Sequence, residues 1–166
     1  MARSATGARG TNATAYYVAM LLLRVFLGYE FVRSGIDKLG WLSSNQLATT
    51  LKQWTTGDSP AALSSYIGFL NRFVIPHSPA YTYLIVSGEL IIGSMLIIGL
   101  ATRLACLPAL MLSINFMLAT WNKGFEWQFV NEAFIALETA LLISGAGRFG
   151  GVDAPIAKAY PRCPFW

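Results

Sequence analysis

The chain has 166 residues, of which 55% are hydrophobic and only 12% charged, against roughly a quarter charged in soluble domains. Its net charge of +4 comes from scattered Lys and Arg, which argues against a nucleic-acid surface and fits membrane topology. Cys106 and Cys163 have neither disulfide-framework nor metal-site spacing.

Residues 1–13 are small and polar and read as a flexible N-terminal segment. The first apolar run follows Arg3 and Arg9, as in a signal peptide. Residues 15–32 exceed a typical signal core, however, and lead into Arg33, Asp37 and Lys38 without a small-residue cleavage site. The run therefore reads as a retained helix over about 14–35. Residues 41–78 are amphipathic: Leu47, Leu51 and Trp54 recur at helical spacing, as do Leu63, Tyr66, Ile67 and Leu70. Gly57, Asp58, Ser59 and Pro60 divide this stretch, and Pro76 and Pro79 end it. Both pieces are too polar to span and are expected to lie on one membrane face.

Further apolar runs predict helices over about 79–100, 104–121 and 129–145, with turns at Ala101-Thr102-Arg103 and at residues 121–127, whose aromatics suit a membrane interface. Gly28, Gly35, Gly88, Gly93 and Gly99 are expected to allow close helix packing. The fold class is therefore an all-α integral membrane protein. It is a four-transmembrane-helix bundle over residues 14–146, with a short amphipathic helical extracytoplasmic insertion between helices one and two and a C-terminal tail over residues 147–166. The distribution of Lys and Arg favours both termini in the cytoplasm, and the expected location is the cell inner (plasma) membrane, multi-pass.

Ionisable residues inside these runs mark the place to look for function. Matching depth on alternating helices brings Arg24, Glu89 and Glu138 to the midplane. Glu30 and Glu132 fall roughly 9 Å nearer the outer face, with Arg33 and Asn131 close to them. This matching makes Arg24 the expected partner of Glu89. Asn131 and Glu138, seven residues apart, share a helix face. A carboxyl left without a basic partner suits proton exchange with a quinone, whereas a simple ion pair would only fix helix register.

Other redox groups are disfavoured. His77 is the chain's one histidine, so a bis-histidine haem is not expected, and two cysteines do not hold an iron–sulfur cluster. Gly145-Ala-Gly147-Arg-Phe-Gly150 fits G-x-G-x-x-G but follows a spanning helix in place of a strand, so no nucleotide site is expected.

Three blocks carry a family likeness. They are Leu22-Leu-Arg24-Val-Phe-Leu-Gly28 leading to Ser34-Gly-Ile-Asp-Lys38-Leu; Gly88-Glu89-Leu-Ile-Ile-Gly93 leading to Gly99-Leu-Ala-Thr-Arg103-Leu; and Asn131-Glu132 followed by Gly145-Ala-Gly147-Arg148 and Asp153. In these the chain resembles the DoxX/DoxD family, which includes the membrane subunit of thiosulfate:quinone oxidoreductase. The resemblance implies a four-helix membrane protein in a quinone-linked redox system, an oxidoreductase subunit passing electrons from thiosulfate to quinone. It singles out Arg24, Lys38, Glu89, Arg103, Asn131, Glu132, Arg148 and Asp153. Together with the depth matching it makes Arg24, Glu89 and Glu132 the candidate catalytic residues and Arg24, Asn131 and Glu138 the candidate quinone contacts, with no metal. The expected partners are the lipid bilayer and other membrane or peripheral redox subunits. The alternative is a non-catalytic accessory or scaffold subunit of a larger respiratory or photosynthetic complex, with the aromatic tail, Tyr160 to Trp166, packed on neighbours.

Overall fold

A computed structural model describes residues 4–160 and 162. Among these the chain is all-α, with no strand. There are four long helices, α1 (Ser4–Asp37), α4 (Ser78–Ile98), α5 (Thr102–Ala119) and α6 (Phe125–Ser144), with the short α2 (Gln46–Thr55) and α3 (Ser64–Phe69) between α1 and α4, and the short α7 (Asp153–Ala159) after α6. Three stretches, Thr14–Ser43, Ser78–Ile98 and Thr102–Ala119, are long and apolar enough to cross a membrane. α6 matches them in length but carries Glu126, Glu132 and Glu138. Exposed side chains such as Leu22, Ile91, Met111 and Ile143 form an apolar outer surface that fits a lipid surrounding.

α1 packs along α4 and α5 along α6, and contacts of α4 with α5 and of α1 with α6 close the ring into a four-helix bundle. Its core contains Leu27, Phe31, Ile92, Leu96, Ala109 and Leu141. The tightest contact is backbone on backbone. A Cβ at Gly28 would lie 2.8 Å from the Gly93 carbonyl oxygen, and one at Gly93 would lie 2.6 Å from that of Gly28. Only glycine permits this approach. Gly88, expected to pack in the same way, does not: a Cβ there would meet nothing nearer than Leu112 at 3.9 Å. Gly99 serves as the left-handed cap of α4, with φ 68°.

Several boundaries differ from the sequence expectation. α1 begins at Ser4, so residues 4–13, expected to be flexible, continue the helix. Once the apolar part of the helix is fixed, each further residue adds a hydrogen bond without a new nucleus. Residues 1–3 lie outside the described residues. α6 begins at Phe125 and not near residue 129, because the break falls at Gly124, with φ 106°. Pro161 and Cys163–Trp166 of the aromatic tail also lie outside the described residues.

The insertion has the expected break between α2 and α3, and Leu47, Leu51 and Leu70 are buried. It does not lie across the end of the bundle. It folds down the flank of α4 and α5, where Ala62, Val74 and Ala119 join the same apolar cluster and Tyr81 and Ile85 pack against it. α1 ends beside the middle of α4, and the insertion covers the part of α4 that α1 leaves bare. The Leu63 amide donates to the Leu118 carbonyl at 2.9 Å, and the Asn122 amide to that of Ala61 at 2.8 Å. The Tyr66 phenol donates to Asn115 Oδ1 of α5. Lys123 sits between the rings of Trp54 and Trp127, 4.5 and 3.9 Å from their centroids.

Two outcomes follow from this packing. Gly93→Ile should push α1 from α4 and destabilise the bundle by about 1–3 kcal/mol, while Gly88→Ala should leave the thermal midpoint in detergent unchanged or raised; equal losses for both would contradict the register. Burial where α3 packs against α5 pushes the Tyr66 phenol from 10.0 up to about 12. Because the folded value is raised, its contribution to docking is complete below pH about 10 and is lost as pH rises through about 12. An ultraviolet titration compared with Tyr66→Phe should place this ionisation near the upper value, and ionisation near 10 would mean the phenol is not docked.

Candidate functional site

The glycine contact sets the register of everything above and below it. From Gly28 opposite Gly93 the two helices continue to Gly35, where a Cβ would meet Leu90 at 2.9 Å and the Cβ of Glu89 at 3.3 Å. One turn further, Lys38 reaches Glu89. Its Nζ lies 2.8 Å from Oε1 and 3.0 Å from Oε2. The Ser34 hydroxyl donates to Glu89 Oε1 at 3.1 Å and itself accepts from Lys38. The Glu89 side chain is 2% exposed and that of Lys38 15%. The partner of Glu89 is thus Lys38, and not Arg24 as depth matching predicts. The matching set helix midpoint against helix midpoint, whereas α1 is staggered along α4: Gly28 meets Gly93 and Ile97, Gly35 meets Leu90, and Lys38, at the end of α1, stands level with the middle of α4.

Arg24 lies ten residues before Ser34, roughly 15 Å along the axis, and belongs to another cluster. It is fully buried. Its Nη1 donates to the carbonyls of Ala146 at 2.9 Å and Phe149 at 3.1 Å, and Nη2 to Gly150 at 3.4 Å. Gly99 and Gly151 make room for the guanidinium: a Cβ at either would lie within 2.7 Å of Nη1. Beside it, buried Asp153 accepts from the Ala101 amide at 2.5 Å and the Thr102 amide at 2.9 Å. Its carboxylate thereby caps the first turn of α5 from a distant part of the chain. Ala101, with φ 46°, is the one non-glycine residue at positive φ among the described residues. Arg103 lays its guanidinium over Gly145, and Gly147 lies under the Asp153 carboxylate and Thr102. Arg24, Arg103, Gly145, Gly147 and Asp153, all within the blocks of family likeness, therefore meet in one buckle that fastens the tail to the α4–α5 turn. Arg148 is exposed.

Next to the Lys38–Glu89 pair is a half-open cavity of about 190 Å³ between α1, α5 and α6. Glu30 and Ser34 of α1, Glu89 of α4, Ser113 and Phe116 of α5 and Asn131 of α6 line it. Asn131 donates to Thr120 Oγ1 at 3.1 Å and to the Trp127 carbonyl at 2.8 Å, which leaves its amide oxygen as an acceptor. Glu138 is fully buried behind this wall: the Ser113 hydroxyl donates to its Oε1 at 2.7 Å, and Oε2 has no partner. Glu132 points away and is exposed. Glu30 lies 3.9 Å from Arg33, a mostly exposed side chain. Of the sequence candidates, then, Glu89 and Asn131 face one cavity, Glu138 adjoins it through Ser113, and Arg24 and Glu132 lie elsewhere. Ser34 and Ser113 join the site without having been singled out by depth. The signal for Ser34 was its spacing, one turn before Lys38 and one turn after Glu30; Ser113 had none. Among the described residues no group of three or more His, Cys, Asp or Glu is placed to hold a metal.

A second, apolar cavity of about 450 Å³ runs between α4 and α5 under α2 and α3. Leu112 and Phe116 line both cavities, and Lys38 Nζ lies 5.5 Å from the centroid of the Phe116 ring.

The fold and the intramembrane ion pair define a multi-spanning helical membrane protein. Residues 19–122 match the model of the DoxX family, more than half of the chain, and the chain belongs to that family. The match contains Arg24, Lys38, Glu89 and Arg103 and stops before α6, so Asn131, Glu138 and Asp153 join the site through the fold. No solved structure matches the chain.

Removing one member of a buried ion pair strands the other, at about 3–5 kcal/mol. Lys38→Met should therefore destabilise the protein by that order in a denaturant titration. Adding Glu89→Gln should restore most of the loss; additive losses in the double variant would show that the two side chains do not pair.

Proposed function

We propose that this DoxX-family protein works in quinone-linked membrane redox chemistry, and that the cavity beside Lys38 and Glu89 receives the quinone head. The observation that carries this reading is a carboxylate, held by a lysine and a serine, facing a small half-open cavity between the helices. About 190 Å³ suits one small ring. Bound quinone supplies a two-electron, two-proton acceptor. Lys38 and Ser34 fix Glu89 so that its carboxyl gives or takes a proton at the ring oxygen. Asn131 orients the ring through its amide. Glu138, reached through Ser113, is a second proton position, and Arg24 serves at a distance by fastening the tail.

The cavity wall offers an anion no unpaired cation, because Lys38 is engaged by both oxygens of Glu89, so thiosulfate or another anionic donor reacts outside it, on a partner subunit. In this reading α6 is the fourth span, with Glu138 turned inward. Both termini lie on the cytoplasmic side of the inner membrane, and the insertion lies along the outer half of the bundle.

One observation favours an accessory role in a larger redox complex: the Lys38–Glu89 pair is satisfied within the chain, as a register device requires. Glu89→Gln separates the two. Quinone turnover per assembled complex in native membranes should fall by about a hundredfold or more, beyond the assembly lost because Lys38 is left without its counter-charge. Turnover that falls only in proportion to assembled protein would leave the accessory reading in place, and unchanged turnover with unchanged assembly would reject Glu89 as a proton carrier.

A further inference from the structure

The apolar cavity has more than twice the volume of the polar one, and nothing in the reading above uses it. We propose that it holds the hydrocarbon chain of a single-chain, neutral-headed amphiphile, whose head enters the polar cavity through the wall formed by Leu112 and Phe116. This rests on the proposed function only in placing the head beside Lys38 and Glu89; the chain site is argued from the groove itself.

The groove differs from an ordinary lipid-facing surface because it has a roof. α2 and α3 cover it, held down by the Leu63–Leu118 and Asn122–Ala61 backbone bonds. Its side is open, since Leu84 and Met111 in its lining are 63% and 66% exposed, so a chain enters laterally from the bilayer. Two of its polar lining groups, Tyr66 and Asn115, are hydrogen-bonded to each other, which leaves the interior suited to hydrocarbon. Gly88 keeps the space open: a Cβ there would meet only Leu112, at 3.9 Å, in contrast to the backbone contacts of Gly28 and Gly93.

The head is neutral by exclusion. Glu30 and Glu89 line the polar cavity, and the Lys38 ammonium is already engaged by both oxygens of Glu89 and by Ser34. The Glu30 carboxylate lies 3.9 Å from Arg33, so each carboxylate there is already paired, and an anionic head, as on a fatty acid or an anionic phospholipid, finds no free counter-charge among the lining residues. A two-chain lipid has a head too large for the polar cavity and one chain more than the groove takes.

The test is photolabelling of the full chain in phosphatidylcholine vesicles, with a benzoquinone bearing a diazirine in a long alkyl chain, and mapping of the adducts by mass spectrometry. Adducts should concentrate on Met111, Leu84 and Trp54. Gly88→Leu, which fills the groove and favours the helix, should reduce them about tenfold, equivalent to about 1.4 kcal/mol of binding. Adducts on Leu22 and Ile143, which lie outside the groove, should not change. Gly88→Ala serves as the folding control and should label almost as the parent does. Even labelling of Leu22, Ile143 and Met111, insensitive to Gly88→Leu, would overturn the chain site. A diazirine-bearing fatty acid that labels the groove as strongly as the quinone would overturn the neutral head. Labelling of the groove together with unchanged turnover in Glu89→Gln would remove the redox reading and leave the chain site standing. Scattered labelling with lost turnover would do the reverse.

Discussion

In a bilayer there is no hydrophobic force between helices to set their register, so close packing and polar pairing must do it. Here that task falls to the place where α1 and α4 touch backbone to backbone, at Gly28 and Gly93. Sliding α1 by one turn along α4 would drive side chains into that contact. It would also separate Lys38 from Glu89 at one end and Arg24 from the Gly99 cap at the other. The polar clusters and the glycine contact therefore support a single register, and each makes the alternatives costlier.

The intramembrane charges divide between two jobs. At the tail end Arg24 is surrounded by backbone carbonyls, and Asp153 caps α5. These groups are spent on closing the chain upon itself and offer little to a ligand. Near the middle of α4 the Lys38–Glu89 pair is equally well satisfied but borders a cavity with further polar groups, and Glu138 keeps one oxygen unpartnered. A bundle that needed only a fixed register has no use for a polar cavity beside its ion pair, lined by groups from α1, α4, α5 and α6. This is the physical reason to read the second cluster as functional and the first as structural.

The sequence made the all-α class, the long apolar helices and the divided insertion legible, because they rest on runs and periods that local composition displays. Register was not legible. Glu89 was correctly marked as an interior carboxylate, but its partner was taken from helix midpoints, which depend on where a helix is thought to start. Small residues at 4–13 hid ten further residues of α1, and the stagger that sets the end of α1, not its middle, against Glu89 is fixed by the Gly28–Gly93 contact. Lys38 was named by family likeness and not by depth, because a lysine after Asp37 reads locally as the end of a span. Asp153 was likewise carried by likeness alone. Its role depends on the left-handed turn at Ala101, more than fifty positions earlier, which no local pattern announces. Gly88 and Gly93 look alike in sequence, yet one opens a groove and the other closes a contact. The difference lies in what stands opposite, which is a tertiary fact.

The account turns on which cation holds Glu89. Solid-state NMR on protein in lipid bilayers, with ¹⁵N in lysine side chains and ¹³C in glutamate carboxyls, measures this directly through the dipolar coupling between them. A strong coupling from Glu89 to a lysine Nζ, lost in Lys38→Met and kept in Arg24→Gln, is the predicted result. A Glu89 carboxyl coupled to no lysine, or to a labelled Arg24 guanidinium in its place, would contradict the register and with it the site built on it.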